Sequence, residues 1–247
     1  LIADPVAGNM IRTLFVNKGS ADKLRARPEG FEKTKINTLG MLGAGMMGSG
    51  ITLVSARSGM NVVLLDSTEE QAARGKQYTE KFLEKRVKKG KMTTEAAAEV
   101  LDRITVTTDF NDLAECDLII EAVFENREIK ADVTQKTEAV ISEETIFASN
   151  TSTLPISGLA ESSSRPEGFI GMHFFSPVER MPLVEIILGK ETSDRALAAA
   201  LDYVQQIRKT PIVVNDSRGF FTSRVFSTAC NEANTMLMEG VSPALIE

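Results

Sequence analysis

Positive charge is in short supply in this sequence. Its 247 residues carry 28 Lys and Arg against 34 Asp and Glu, a formal net charge of -6. That argues against a general nucleic-acid binder, because phosphate contacts need clustered Lys and Arg. Paired cysteines are also missing. Cys116 and Cys230 stand alone, without the spacing of a metal site, and read as free thiols of a reducing compartment. No metal is expected. Charges interrupt every apolar segment before about 18 residues, so no transmembrane helix is expected. No basic-then-apolar leader pattern opens the chain. Histidine occurs once, at position 173, so imidazole chemistry has a single candidate.

What is present suits a globular fold. Hydrophobic residues make up 43% and charged residues 25%, which allows a sizeable core and argues against disorder. The length fits one large domain or two small ones. The chain begins at Leu1 rather than Met, and Val241-Ser242-Pro243 reads as a helix about to begin. A fragment of a longer polypeptide is therefore expected.

Ile2, Val6, Met10, Leu14 and Phe15 recur at helical spacing, with Lys18-Gly19 as the expected helix end. A polar stretch through Pro28-Glu29-Gly30 to Lys35 reads as a linker. Residues 1–34 are thus expected to form a linker helix and connector. From Lys35 onward, strands alternate with helices. Strands are expected over 36–42, 61–66, 104–107, 118–123, 145–149, 169–174, 183–188 and 211–214. Helices are expected over 45–58, 68–101 with a turn near Gly90, 127–141 and 193–208. Repeated strand-helix-strand units predict an α/β fold, a Rossmann-type doubly wound and mainly parallel sheet. After Asp216 the strand signals stop, and Gly219 to Glu239 reads as helix, with Gly219 as a tolerated helix-start glycine. The expected division is a Rossmann domain over 35–215 and the beginning of a truncated helical C-terminal domain over 216–247.

Gly43-Ala44-Gly45-Met46-Met47-Gly48 has the G-x-G-x-x-G form in its full context: a strand before it, a helix opening within it, and a second strand ending in an acid. Gly43 permits the tight turn, Gly45 lets the backbone approach a pyrophosphate, and Gly48 lets the helix pack on the sheet. The helix N-terminus offers free N–H groups to the phosphates. Asp66 lies 18 positions after Gly48. Its carboxylate can accept from ribose hydroxyls and would repel a 2′-phosphate, and no Arg follows immediately, which favours NAD over NADP. FAD shares the fingerprint, so a flavin and a purely structural glycine turn stay open on this pattern alone.

His173 ends a strand, in Gly171-Met172-His173-Phe174-Phe175-Ser176-Pro177, and ligands of open α/β sheets bind at carboxyl ends of strands. Glu185 lies among aliphatics in the next strand, where a lone carboxylate is costly unless paired. A His–Glu pair would fix the imidazole tautomer and stabilise its protonated form. A structural histidine and a Glu185 facing solvent on an edge strand are the alternatives. Ser149-Asn150-Thr151-Ser152-Thr153 follows a strand and precedes a helix. It could bond a substrate oxygen, or it could only cap that helix through Ser152 or Thr153.

Together these segments, with Glu121-Ala122-Val123-Phe124-Glu125, Leu183-Val184-Glu185 and Gly219-Phe220-Phe221, resemble the L-3-hydroxyacyl-CoA dehydrogenase family over about residues 35–240. The leading helix and linker resemble the region joining the enoyl-CoA hydratase and dehydrogenase parts of multifunctional fatty-acid oxidation proteins. The resemblance implies NAD-dependent oxidation of L-3-hydroxyacyl-CoA to 3-ketoacyl-CoA in β-oxidation. By position, His173 resembles the catalytic base, Glu185 its orienting partner, and Ser152 the serine that contacts the substrate oxygen near the nicotinamide. Gly43, Gly45, Met46, Met47, Gly48, Asp66, Val123, Phe124, Glu125 and Lys130 match cofactor-contacting positions. Ser176 stands where many members have an Asn that contacts NAD. Ser223 replaces an Asn that binds substrate, and Arg218 replaces a Pro.

The family further implies an acyl-CoA substrate and an oligomeric parent with a thiolase subunit as a partner. It implies a cytoplasmic location in a bacterium, or a mitochondrial or peroxisomal one otherwise. Lys81, Lys85, Arg86, Lys88, Lys89 and Lys91 are candidates for the CoA phosphates, against a merely solvated helix face. Two other functions stay open: a β-hydroxyacid dehydrogenase on the same scaffold, and a non-catalytic NAD-binding module. With only the start of the helical domain, the fragment is expected to bind NADH and to turn over weakly or not at all.

Overall fold

A computed structural model describes residues 4–247, so Ile2 of the leading helical pattern lies outside the described residues. The elements follow in chain order as α1 (Pro5–Ile11), α2 (Lys18–Asp22), β1 (Thr38–Leu42), α3 (Met46–Arg57), β2 (Asn61–Leu65), α4 (Glu69–Lys88), α5 (Thr94–Asp102) and β3 (Ile104–Thr107). They continue with β4 (Leu118–Glu121), α6 (Arg127–Glu138), β5 (Ile146–Ser149), α7 (Ile156–Ala160), β6 (Phe169–Phe174), β7 (Leu183–Leu188), α8 (Asp194–Gln206), β8 (Thr210–Asn215), α9 (Thr222–Met238) and α10 (Pro243–Ile246).

The eight strands form one sheet in the order β3-β2-β1-β4-β5-β6-β7-β8. Every neighbouring pair is parallel except β6–β7. That exception has a simple cause. Parallel neighbours need a crossover of a dozen or more residues, and only the helix-free loop 175–182 joins β6 to β7. The sheet is therefore doubly wound and mainly parallel, and the order reverses between β1 and β4.

Apolar alternation along the strands feeds a core on each face. Leu118 and Ile120 of β4 join the cluster of Ile51, Leu83 and Tyr203, while Ile119 joins Leu113, Phe147 and Phe169. Burial on both faces accounts for strands that read as near-continuous apolar runs. Cys116 sits in this core, and burial, reinforced by the charges of Asp117 and Glu115, pushes its thiol up to about 12. It stays protonated and acts as a small hydrophobe.

Three local expectations change. The leading helix does not end at Lys18-Gly19. It passes through a π-helical segment, Arg12–Asn17, into α2 and ends at Asp22. A Lys18–Asp22 ion pair of 2.6 Å spans that last turn, and the Thr210 hydroxyl bonds the same Asp22 carboxylate. The polar stretch after it is a bound strap rather than a free linker. Arg27 donates from Nε and Nη2 to the buried Asp202 of α8 at 2.8 and 2.9 Å, and the Thr34 N–H joins the same carboxylate at 2.8 Å. Gly219 is not within a helix start. It has φ +73° in a turn three residues before α9, a conformation that glycine adopts without the Cβ penalty.

Candidate active site

The glycine loop joins β1 to α3 at the point where the strand order reverses, the crevice in which doubly wound sheets bind ligands. Its glycines serve two different ends. Gly43 has φ +93°, and a Cβ there would lie 2.7 Å from the Ala122 carbonyl oxygen. A Cβ on Gly48 would lie 1.8 Å from the Gly43 oxygen. These two are required by the fold. Gly45 has open space beside it and caps α3 without a side-chain acceptor, so the helix presents unmet N–H groups to that space. That is the cradle a pyrophosphate needs.

Asp66 closes the loop from β2. Its Oδ2 accepts the Ala44 N–H at 2.6 Å, and its Oδ1 accepts the Ser67 N–H at 2.6 Å. Beside it lies a cavity of about 920 Å³, whose wall includes Gly43, Gly45, Met46, Met47, Asp66, Val123 and Phe124. Phe124 is 82% exposed and Met46 68%, apolar surface of the kind a flat ring would cover. Arg74 and Lys136 also reach this wall, cations that the local sequence after Asp66 does not reveal. Glu125, Lys130, Ser152 and Ser176 lie outside that wall.

Behind the cavity a buried acid organises the next two strands. Glu121 ends β4, and its Oε1 accepts from Lys130 Nζ and from the Val123 N–H, each at 2.7 Å. Its Oε2 accepts from the Ser149 hydroxyl at 2.8 Å. Lys130 is itself buried, with Nζ also 3.3 Å from Glu125 Oε2 and 3.5 Å from the Val123 carbonyl. Its three donors are thereby matched by three protein acceptors. Glu125 in turn accepts from the Thr151 hydroxyl at 2.6 Å and from the N–H groups of Ser152 and Thr153 at 3.1 and 3.2 Å. Burial alone would raise the Glu125 carboxyl. The Thr151 hydroxyl, the Lys130 charge and the two amides instead bring it below the usual carboxylate value.

Ser152 is therefore held by its backbone, and its exposed hydroxyl is not the cap of α7. The α7 N–H groups of Ile156 and Ser157 go to Asp216, at 2.9 and 2.8 Å. The turn carrying Ser152 is also tied to the neighbouring strand, because Asn150 Oδ1 accepts the Phe174 N–H at 2.8 Å.

His173 and Glu185 face each other across the antiparallel β6–β7 pair, in direct register. His173 Nδ1 lies 2.7 Å from Glu185 Oε2. Glu185 is wholly buried, and β7 is an interior strand with β8 outside it, so it does not face solvent from an edge. The carboxylate has three further donors: the Thr222 hydroxyl at 2.7 Å and the N–H groups of Phe221 and Thr222 at 3.1 and 2.8 Å. Burial would raise this carboxyl. The hydrogen bonds from His173 and Thr222, with the His173 charge, lower it instead. With Nδ1 engaged, Nε2 is the ring nitrogen left free. Rings of Phe175 and Phe220 pack on the imidazole at 4.6 and 5.9 Å between centroids.

The remaining expected residues lie around this pair. Ser176 follows β6, and its hydroxyl contacts Met46 Sδ at 3.6 Å, bridging the histidine strand to the glycine loop. Ser223 lies in the first turn of α9, next to Thr222. The basic run of α4 and the turn after it lines a separate cavity of about 680 Å³ through Lys81, Lys85, Arg86, Lys89 and Lys91, with Arg57, Arg180 and Glu179, while Lys88 lies outside it. Sequence reasoning missed Glu121, Thr222 and Asp216. Glu121 carried a usable signal, a lone acid closing the run Leu118-Ile119-Ile120.

A dinucleotide crevice beside a buried histidine–carboxylate pair defines an oxidoreductase of the doubly wound class. Residues 38–217 match the family described as 3-hydroxyacyl-CoA dehydrogenase, NAD binding domain. The chain belongs to that family, and NAD is its cofactor. It is 46% identical over 203 residues to a probable 3-hydroxybutyryl-CoA dehydrogenase of Deinococcus radiodurans, covering 82% of this chain and 73% of that one. It is 40% identical over 234 residues to the fatty acid oxidation complex subunit alpha of Psychrobacter arcticus, covering 95% of this chain and 32% of that protein. The second span is too long to fit within residues 35–247, so it includes part of the leading segment. The crystal structure of (S)-3-hydroxybutyryl-CoA dehydrogenase from Ralstonia eutropha superposes with a TM-score of 0.81 at 40% identity, over 84% of this chain and 74% of that one. Among the described residues, no helix is long and apolar enough to cross a membrane.

Proposed function

We propose that this chain carries the cofactor half and the proton-transfer pair of an enzyme that oxidises L-3-hydroxyacyl-CoA to 3-ketoacyl-CoA. The observation that carries the reading is the His173–Glu185 pair, buried at the end of the strand next to the Ser152 turn. Bound NAD supplies the hydride acceptor. His173 takes the hydroxyl proton at Nε2, and Glu185, anionic and held by four donors, stabilises the imidazolium that forms. Ser152, with its backbone fixed by Glu125, offers its hydroxyl to the substrate oxygen. Ser176 and Ser223 are the cofactor-side and substrate-side polar contacts. Glu125 and Lys130 serve the cofactor by shaping its surroundings.

The cavity lined by this basic run suits the phosphates of CoA, since its cations outnumber its single carboxylate, Glu179, and such an excess favours a polyanion. Residues 216–247 are read as the start of a second, helical unit. An assembly with further subunits and a cytoplasmic location are part of the same proposal. A non-catalytic NAD-binding module is the second reading. It is favoured by α9, which buries none of its residues.

The test is NADH formation from 3-hydroxyacyl-CoAs of several chain lengths, run beside free 3-hydroxy acids. In the complete enzyme, formation from the CoA thioesters alone is expected. Oxidation of the free acids but not the thioesters would overturn the substrate assignment. NADH binding without turnover of either would favour the non-catalytic reading.

A further inference from the structure

We infer that Thr222 is a positioning residue for the catalytic pair, the means by which the first turn of α9 sets the carboxylate that orients His173. The inference rests on the dehydrogenase reading above for its consequence, and on geometry alone for its cause.

Glu185 offers four donors a place, and all four are filled. On one oxygen, Oε1, sit the Phe221 and Thr222 N–H groups. On the other, Oε2, sit the Thr222 hydroxyl and His173 Nδ1, each at 2.7 Å. One residue, Thr222, therefore bonds both oxygens, by backbone on one side and side chain on the other. A carboxylate gripped at both oxygens cannot rotate about its Cγ–Cδ bond, so Oε2 stays aimed at the imidazole.

The arrangement also solves a problem for α9. The helix has no side-chain cap of its own; its N-cap position is Phe221. Its first N–H groups would be orphaned, and the catalytic carboxylate meets them from another part of the fold. The helix N-terminus in turn favours the anionic state of Glu185. This coupling crosses from the sheet to the segment after Asn215, so the placement of α9 and the geometry of the pair are linked. Without the hydroxyl, Oε2 would keep a single donor, the imidazole itself, and no group other than His173 would fix where that oxygen points.

The single histidine makes the test direct, because every imidazole signal in the chain belongs to His173. In 15N-labelled protein, the Nδ1 proton of His173 is expected as a downfield resonance protected from exchange. Thr222→Val should shift it upfield or broaden it through exchange. Thr222→Ser, which restores a hydroxyl, should recover it, and Thr228→Val, on the same helix, should leave it unchanged. If the Val variant does not fold, Thr222→Ala carries the same expectation. In the complete enzyme, Thr222→Val should lower kcat about tenfold, the scale of one lost hydrogen bond to a charged group, with KM for NAD within about twofold. A folded Thr222→Val protein with an unshifted, protected Nδ1 proton would overturn the inference. Loss of that proton in a chain whose wild type never forms NADH would instead leave Thr222's role intact and count against the dehydrogenase reading.

Discussion

Two acids of this sheet have nearly the same surroundings and different capacities. Glu121 ends β4 and Glu185 lies in β7, and both are almost wholly buried. Each accepts a side-chain hydroxyl and at least one backbone N–H, from Ser149 and Val123 in one case and from Thr222 and Phe221 in the other. The difference is the side chain that completes each set. Glu121 has the ammonium of Lys130, whose three donors are all taken by protein acceptors. Glu185 has the imidazole of His173, which keeps its second ring nitrogen, Nε2, free of a protein partner. The first network can only hold a shape. On the proposed function, the second holds a shape and also passes a proton. Buried acids of one fold are thus sorted into frame and chemistry by the cation beside them.

The comparison can be broken most forcefully at Glu121. Glu121→Ala leaves Lys130 buried without its main counter-charge, and removing one member of a buried pair typically costs about 3–5 kcal/mol. Urea unfolding should show that loss across the neutral pH range, together with weakened NADH binding as the Ser149–Thr153 turn loosens. A loss below about 1 kcal/mol would mean that the network does not frame the site.

A smaller and differently shaped effect is expected at Glu185. Its folded carboxyl is held below the ordinary value by hydrogen bonds that overcome burial. A lowered carboxylate contributes stability that is present above its unfolded pKa of about 4.3 and is lost as pH falls through the folded value. Glu185→Gln should therefore flatten the acid limb of the stability–pH curve below about pH 4.3, with little change in slope between pH 6 and 9. An unchanged acid limb would show that the pair adds no proton-linked stability.

Much of this was legible in the sequence, for identifiable reasons. The glycine loop carries its own geometry: two of its glycines fill positions that a Cβ would block, and one leaves room for a ligand. Asp66 falls at the end of the next strand because strand length and helix length are set by periodicity. Glu185 stands out because a lone carboxylate among aliphatics is costly unless paired, and His173 because it is the single histidine and ends a strand. What sequence periodicity did not convey was strand direction. The absence of a helix between residues 174 and 183 makes β6–β7 antiparallel, and that is what puts the two residues in direct register. Long-range wiring was the other blind spot. Thr222 bonds an acid 37 positions earlier, and Asp216 caps a helix 60 positions earlier. No local propensity records such partners. Arg27 looked like part of a linker for the same reason, since its acceptor, Asp202, is 175 positions away.

The central claim is that the two networks divide their work, with Lys130 and Glu121 framing the cofactor side and His173 moving the proton. The most direct test is His173→Gln in the complete enzyme, measuring NADH affinity and hydroxyacyl-CoA turnover on the same sample. The account predicts NADH affinity within about threefold of the parent and turnover lowered by about 10²–10⁴, the range of general-base catalysis. Turnover that survives the substitution would contradict it, because His173 would then not be the group that takes the proton.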